Sequence, residues 1–175
     1  MKVLISTEQI QQRVAELARQ IARDYAGRPV TLLGVLNGSL MFLADLVRQL
    51  DLRSRIGFIQ ASSYRGATTR PGELEVNAGL VPDIRGRHVL LLDDILDSGR
   101  TLVRLGGHVR GLEPASVKIV VMLRKRGRQQ VPCEPDYCGF EIPDVFVVGY
   151  GMDYNDEYRQ LPYVAELDGE SATRR

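Results

Sequence analysis

Apolar residues recur at two different periods along this chain, and the alternation between them predicts how it layers. Ile10, Val14, Leu17 and Ile21 stand at helical spacing behind Ser6 and Gln9, a pair with the spacing of a capping box, which predicts an amphipathic helix up to Gly27. Val30 to Leu36 reads as a strand, Asn37-Gly38-Ser39 as a turn, and Met41, Phe42, Leu43, Leu46, Val47 and Leu50 as the apolar positions of a second helix. Arg55 to Ser62, Arg87 to Leu92 and Val117 to Leu123 predict three more strands. Thr101 to Leu112 carries a further helical pattern, weakened by Gly106 and Gly107, which each cost about 1 kcal/mol relative to alanine. Strands alternating with helices predict a mostly parallel sheet with helices on both faces, where ligands sit beyond the carboxyl ends of the strands.

Two stretches depart from that rhythm. From Tyr64 to Gly79 the chain is polar and without an apolar period, a length that is uncommon for a loop unless it serves as a lid, which is the expectation here. After Lys125 the segments become short and rich in Pro and Tyr, with Val145 to Tyr150 the one strong strand. Residues from about 125 to 167 are therefore expected to form a small hood over the sheet, within a single domain spanning 1–168. The remaining 169–175 are small and polar and predict a disordered tail.

Composition narrows the function classes. A chain of 175 residues with 23 basic and 22 acidic side chains, formal charge +1, has no global field to recruit nucleic acid or an anionic membrane, so any phosphate affinity must be local. No stretch approaches the ~20 apolar residues of a membrane span. Cys133 and Cys138 fit no common zinc spacing and read as free thiols, which points to a reducing, cytoplasmic setting.

The candidate chemistry is concentrated in Val89-Leu90-Leu91-Leu92-Asp93-Asp94-Ile95-Leu96-Asp97-Ser98-Gly99-Arg100-Thr101. A buried strand breaks there into adjacent carboxylates, then a small-residue turn, then a helix. Ser98, Gly99, Arg100 and Thr101 can offer backbone N–H groups and hydroxyls to a phosphate at the start of that helix, where the macrodipole favours an anion. Asp93 and Asp94 repel phosphate and suit sugar hydroxyls or a divalent cation instead. Phosphate, sugar and metal together describe a sugar phosphate. Neither the P-loop nor the three-glycine dinucleotide fingerprint is present in this run.

An apolar strand followed by Asp-Asp, two apolar residues and Asp-Ser-Gly-Arg-Thr resembles the phosphoribosyl pyrophosphate (PRPP) motif of type I phosphoribosyltransferases. Gly139-Phe-Glu-Ile-Pro-Asp-Val-Phe-Val-Val-Gly-Tyr-Gly-Met-Asp-Tyr154 is similar to the matching stretch of their hypoxanthine-guanine members, and the likeness runs from about Ile5 to Leu167. The resemblance implies the type I fold, a mostly parallel twisted sheet flanked by helices with a small hood. It implies purine salvage: transfer of 5-phosphoribosyl from PRPP to N9 of hypoxanthine or guanine, giving IMP or GMP and pyrophosphate, with Mg²⁺ as cofactor and a homodimer or homotetramer as the assembly.

Carried over by position, the resemblance gives Asp93 and Asp94 to the ribose hydroxyls and the metal, and Asp97 to the proton on purine N7. Ser98, Gly99, Arg100 and Thr101 become the 5′-phosphate loop. Phe146 becomes the ring that stacks on the purine, Val147 the backbone that reads its edge, and Lys125 the donor to the exocyclic O6. Asp153 becomes an acid on the metal side that also borders the base. Arg159, with Asn37 and Gly38, falls on the pyrophosphate, and Ser63-Tyr64 on the start of the lid. A lysine suits this task because a 6-oxopurine offers it an acceptor and adenine offers an amino group. Two departures stand out: Asn37 and Gln129 occupy positions where many or some members carry a cation, so pyrophosphate binding is expected to lean on Mg²⁺ and Arg159. The rival readings are a transferase for another base such as xanthine, and a PRPP-sensing regulatory protein, which would usually show a basic face.

Overall fold

The structure, a computed structural model, describes residues 1–63 and 74–167. The Ser6–Gln9 capping box forms: Ser6 N–H donates to Gln9 Oε1 at 2.8 Å and Gln9 N–H donates to Ser6 Oγ at 3.3 Å. It starts helix α1 (Thr7–Asp24), which buries Ile10, Val14, Leu17 and Ile21. Strand β1 (Lys2–Ile5) precedes it. Then follow β2 (Val30–Val35), α2 (Leu40–Gln49), β3 (Ser54–Ser63), β4 (Leu74–Asn77), β5 (His88–Leu96), α3 (Arg100–Arg110), β6 (Ser116–Lys125), β7 (Tyr137–Ile142), β8 (Val147–Val148) and β9 (Val164–Glu166).

Six strands form the main sheet in the order β4-β3-β2-β5-β6-β7, parallel throughout except where β4 returns antiparallel along β3. The unbroken apolar runs supply both faces. Leu32, Leu90, Leu92, Val120 and Met122 pack with α1 and α2, while Leu33, Val35, Val89, Leu91 and Val121 pack with Leu102, Leu105 and Val109 of α3. Period-2 alternation of side chains turns one apolar run into two cores. From β2 the chain crosses to β3 on one side, and from β5 to β6 on the other, so the strand order reverses between β2 and β5. A crevice opens there at the carboxyl ends of the strands.

The structure corrects several expectations. The polar stretch after Tyr64 contains β4, whose Leu74 pairs with Ser63 and whose Val76 pairs with Ala61. Four residues against a long partner are enough for pairing but too few to show a period. Tyr64 and residues 65–73 of the expected lid lie outside the described residues, as does the tail from 168. The strand expected over Val145 to Tyr150 shrinks to β8, and β7 instead joins the main sheet as its edge. Arg13 of α1 secures that edge by donating from Nε to Gly139 O and from a terminal nitrogen to Cys138 O, both at 2.9 Å. The hood sheet is built from both ends of the chain, in the order β1-β9-β8.

Candidate active site

Asp93 and Asp94 sit within β5 rather than beyond it, because β6 runs on to Lys125 and keeps the ladder paired through Asp93–Val121 and Leu96–Arg124. The β2 partner stops one step earlier, with Gly34 opposite Leu92. The two carboxylates therefore face the opening between diverging strands. A cavity of about 330 Å³ fills it, lined by Asn37 and Gly38 from one side, Asp93 to Gly99 and Thr101 from the other, and Asp153 and Arg159 from the hood.

Burial, and after it the charge of Asp94, pushes the Asp93 carboxyl well above the usual carboxylate range; burial also raises Asp94. Backbone N–H groups of Asp94 and Ile95 answer part of the charge, donating to Asp93 Oδ1 at 3.0 Å and to Asp94 Oδ1 at 2.7 Å. Gly38 lies close opposite: a Cβ there would run into the Asp94 carboxylate and force it to move. Gly151, at φ +101°, is pressed in the same way against the Gly38 carbonyl. Hood, β2 turn and β5 thus meet at one point.

Ser98 to Thr101 form the expected turn. Gly99 caps α3 at φ +84° and lies against Cys133, so its missing side chain allows both the left-handed backbone and the close approach. The first N–H groups of α3 point into the crevice end of the helix, where an anion is favoured. Arg100 N–H donates to Ser98 Oγ at 3.3 Å. Both cysteines are free, as expected, and burial raises both thiols.

The hood residues form a second network. Arg159 donates to Gly151 O at 2.7 Å and pairs with Asp153 at 2.8 Å and Asp156 at 3.2 Å. Asp153 also accepts the Asp156 N–H at 2.9 Å. Among the described residues no three His, Cys, Asp or Glu side chains gather to hold a metal. Asp93, Asp94 and Asp153 line the same cavity, with Asp153 paired to Arg159. The segment's backbone is unusual: Tyr150, Asn155, Asp156 and Tyr158 all have positive φ. Such conformations persist only where surrounding contacts over-determine them, and they cluster at functional sites.

Arg100, Lys125, Phe146 and Val147 lie outside the lining of the cavity. Lys125 ends β6 with its ammonium buried, 3.6 Å from Asp97 Oδ2 and 3.8 Å from Asp144 Oδ1. Arg128 Nε reaches the same two acids, at 3.0 Å from Asp97 and 3.5 Å from Asp144. Phe146 keeps half of its surface exposed and meets Tyr154 edge-on, with centroids 5.7 Å apart. Val147 pairs with Glu166 in the hood sheet. Sequence reasoning missed Arg128, Asp144 and Tyr154. Arg128 belongs to the basic run 124–128, and nothing local ties it to Asp97, thirty-one residues earlier.

Residues 6–155 match the family model described as the phosphoribosyl transferase domain. The hypoxanthine-guanine phosphoribosyltransferase of Streptococcus pneumoniae strain R6 is 43% identical over 169 residues, covering 97% of this chain and 94% of that protein. The chain belongs to the hypoxanthine-guanine phosphoribosyltransferase family. Solved members share its fold closely. A crystal structure of the Staphylococcus aureus hypoxanthine phosphoribosyltransferase superposes with a TM-score of 0.90 at 39% identity, covering 97% of this chain and 92% of that one. The Trypanosoma cruzi hypoxanthine phosphoribosyl transferase, whose C-terminal region has a role in its oligomeric state and activity, gives 0.88 at 39% identity over 97% and 92% of the two chains. In this phosphoribosyltransferase the crevice between β2 and β5 brings the paired carboxylates beside the β5–α3 turn.

Proposed function

We infer that the chain transfers the 5-phosphoribosyl group of PRPP to N9 of hypoxanthine or guanine, releasing IMP or GMP and pyrophosphate. The observation that carries this reading is the juxtaposition of two half-sites. The β5–α3 turn provides an anion-binding helix start beside two carboxylates, and the end of β6 places an ammonium next to Asp97.

Each residue then has a task. Ser98 to Thr101 hold the 5′-phosphate, and Asp93 and Asp94 face the ribose, where negative charge favours the cationic sugar that develops as the bond to pyrophosphate breaks. Asn37 and Gly38 flank the leaving group, and Arg159 waits on its side, restrained by Asp153 and Asp156. Phe146 offers its exposed ring to the base, a contact worth about 1 to 3 kcal/mol when bases stack on aromatic side chains. Lys125 donates to O6 while Asp97 accepts or orients the N7 proton.

The donor set fits Mg²⁺. Asp93 and Asp94 are two adjacent carboxyls whose proton affinity is raised by burial, and magnesium is commonly held by one or two carboxylates together with substrate phosphates rather than by a full protein cage. When bound, the ion would neutralise the diphosphate leaving group.

The reading takes residues 1–168 as one transferase domain, acting in the cytoplasm as a homodimer or homotetramer. Two free thiols support the compartment, and the oligomeric state named for the Trypanosoma cruzi relative supports assembly. Among the described residues no helix is long and apolar enough to cross a membrane. A panel of bases with PRPP, with and without Mg²⁺, tests the function. Turnover of hypoxanthine and guanine that disappears on chelation is expected; turnover confined to adenine or uracil, or undiminished by exhaustive chelation, contradicts it.

A further inference from the structure

Three consecutive residues of the turn after β6 all bond to the Asp97-Ser98 step. Arg128 Nε meets the Asp97 carboxylate at 3.0 Å, Gln129 Nε2 donates to Asp97 O at 3.4 Å, and Gln130 N–H donates to Ser98 O at 2.9 Å. Gln129 does one thing more. The same amide nitrogen donates to Lys125 O at 2.9 Å. An amide NH₂ carries two hydrogens, so one partly buried side chain satisfies two carbonyls, those of the residues whose charged groups face each other 3.6 Å apart.

We propose that Gln129 is the positioning residue that sets the separation of the Lys125 ammonium and the Asp97 carboxylate, and thereby the fit to adjacent groups on one purine edge. This rests on the reading of Lys125 and Asp97 as the purine-side pair. Lys125 closes a strand and Asp97 opens a loop; the last β5–β6 ladder pair, Leu96 with Arg124, lies one residue before each of them. Beyond that pair the ladder no longer fixes their distance. Gln129 bridges the gap where regular pairing stops. Arg128 cannot replace it, because its guanidinium is exposed and divided between Asp97 and Asp144.

Gln129 differs in its expected effects from a residue that merely stabilises the turn. When the two donors are lost, Gln130 N–H still holds Ser98 O at the start of the 5′-phosphate loop, so the effect should fall mainly on the purine side. Gln129→Met keeps length and neutrality while removing both donors, and Gln129→Arg restores N–H groups. In steady-state kinetics the Met variant should show roughly a tenfold loss in kcat/KM for hypoxanthine, since small misplacements of reacting groups cost one to two orders of magnitude. Its KM for PRPP should stay within about twofold and its melting temperature close to wild type, and the Arg variant should recover most of the loss. Should the Met variant fold poorly, Gln129→Asn, whose shorter amide cannot span both carbonyls, takes its place in the comparison.

Lys125→Gln and Asp97→Asn are measured alongside. If they impair purine use and Gln129→Met matches wild type, or loses purine and PRPP parameters equally with no rescue by Arg, the proposal is overturned while the reading of the pair stands. If the Lys125 and Asp97 variants leave purine kinetics unchanged, that reading falls and the proposal falls with it.

Discussion

Lys125 Nζ lies 3.6 Å from Asp97 Oδ2, so a cation at the end of one strand and a carboxylate after its neighbour share one small space. Their backbones come from β6 and from the β5–α3 turn, and the parallel ladder between the two strands brings them level. In the proposed reaction the ammonium faces O6 and the carboxylate faces N7 of the same base.

Asp97→Asn keeps the shape of the side chain and removes the proton acceptor. A positioned general base contributes typically ~100-fold to 10,000-fold in rate, so kcat should fall within that range. Calorimetric titration with PRPP should give an affinity close to wild type, because the phosphate loop and Asp93–Asp94 are untouched. Near wild-type kcat with chemistry shown to be rate-limiting would remove Asp97 from the mechanism.

Gly151→Ala acts on the seam between hood and sheet. The residue sits at φ +101° and its new methyl would meet the Gly38 carbonyl, whereas Gly27 has positive φ but open space around it. Strained backbone costs of order 1–3 kcal/mol, and Gly151→Ala should lose at least that much in urea unfolding while Gly27→Ala loses about 1 kcal/mol. PRPP KM should rise in the first variant alone. Equal behaviour of the two would show that the hood does not press on the Gly38 loop.

Tyr137 and Tyr150 predict how stability responds to alkali. Burial, then hydrogen bonds to Asp24 at 2.6 Å and Asp45 at 2.8 Å, push both phenols above their ordinary value. Above pH ~10 the unfolded chain releases these protons and the folded chain keeps them, so the unfolded state binds fewer protons and stability falls as pH rises. The contribution is fully present below that pH. Urea unfolding from about pH 8 to about pH 11 should show a steeper loss in wild type than in the Tyr137→Phe, Tyr150→Phe double variant. Identical slopes would contradict the assignment.

What the sequence made legible followed from how strongly each residue's local context decides its structure. The run from Val89 to Thr101 announced both strand and site because burial on two faces demands continuous apolar residues and a phosphate turn demands small ones. β7 was hidden by Gly139 and by a mixed burial pattern; its Cβ-less residue lets the strand lie against the Met122 carbonyl, and a glycine read alone suggests a loop. β1 and β9 are short and pair with each other across the whole chain, a relation that no local period records. Asp144 and Arg128 took on meaning only when the fold set them beside Asp97. Asp153 is given its metal-side role by resemblance, and its pairing with Arg159 emerges only in the fold.

The central claim is that Lys125 reads the six-position of the base, and the ratio of kcat/KM for hypoxanthine over adenine in Lys125→Gln tests it most directly. A hydrogen bond from a charged donor is worth about 1.5 to 3 kcal/mol, so the ratio should fall roughly tenfold to over a hundredfold while KM for PRPP stays close to wild type. A ratio that matches the wild-type enzyme would contradict the claim and assign the discrimination to another group.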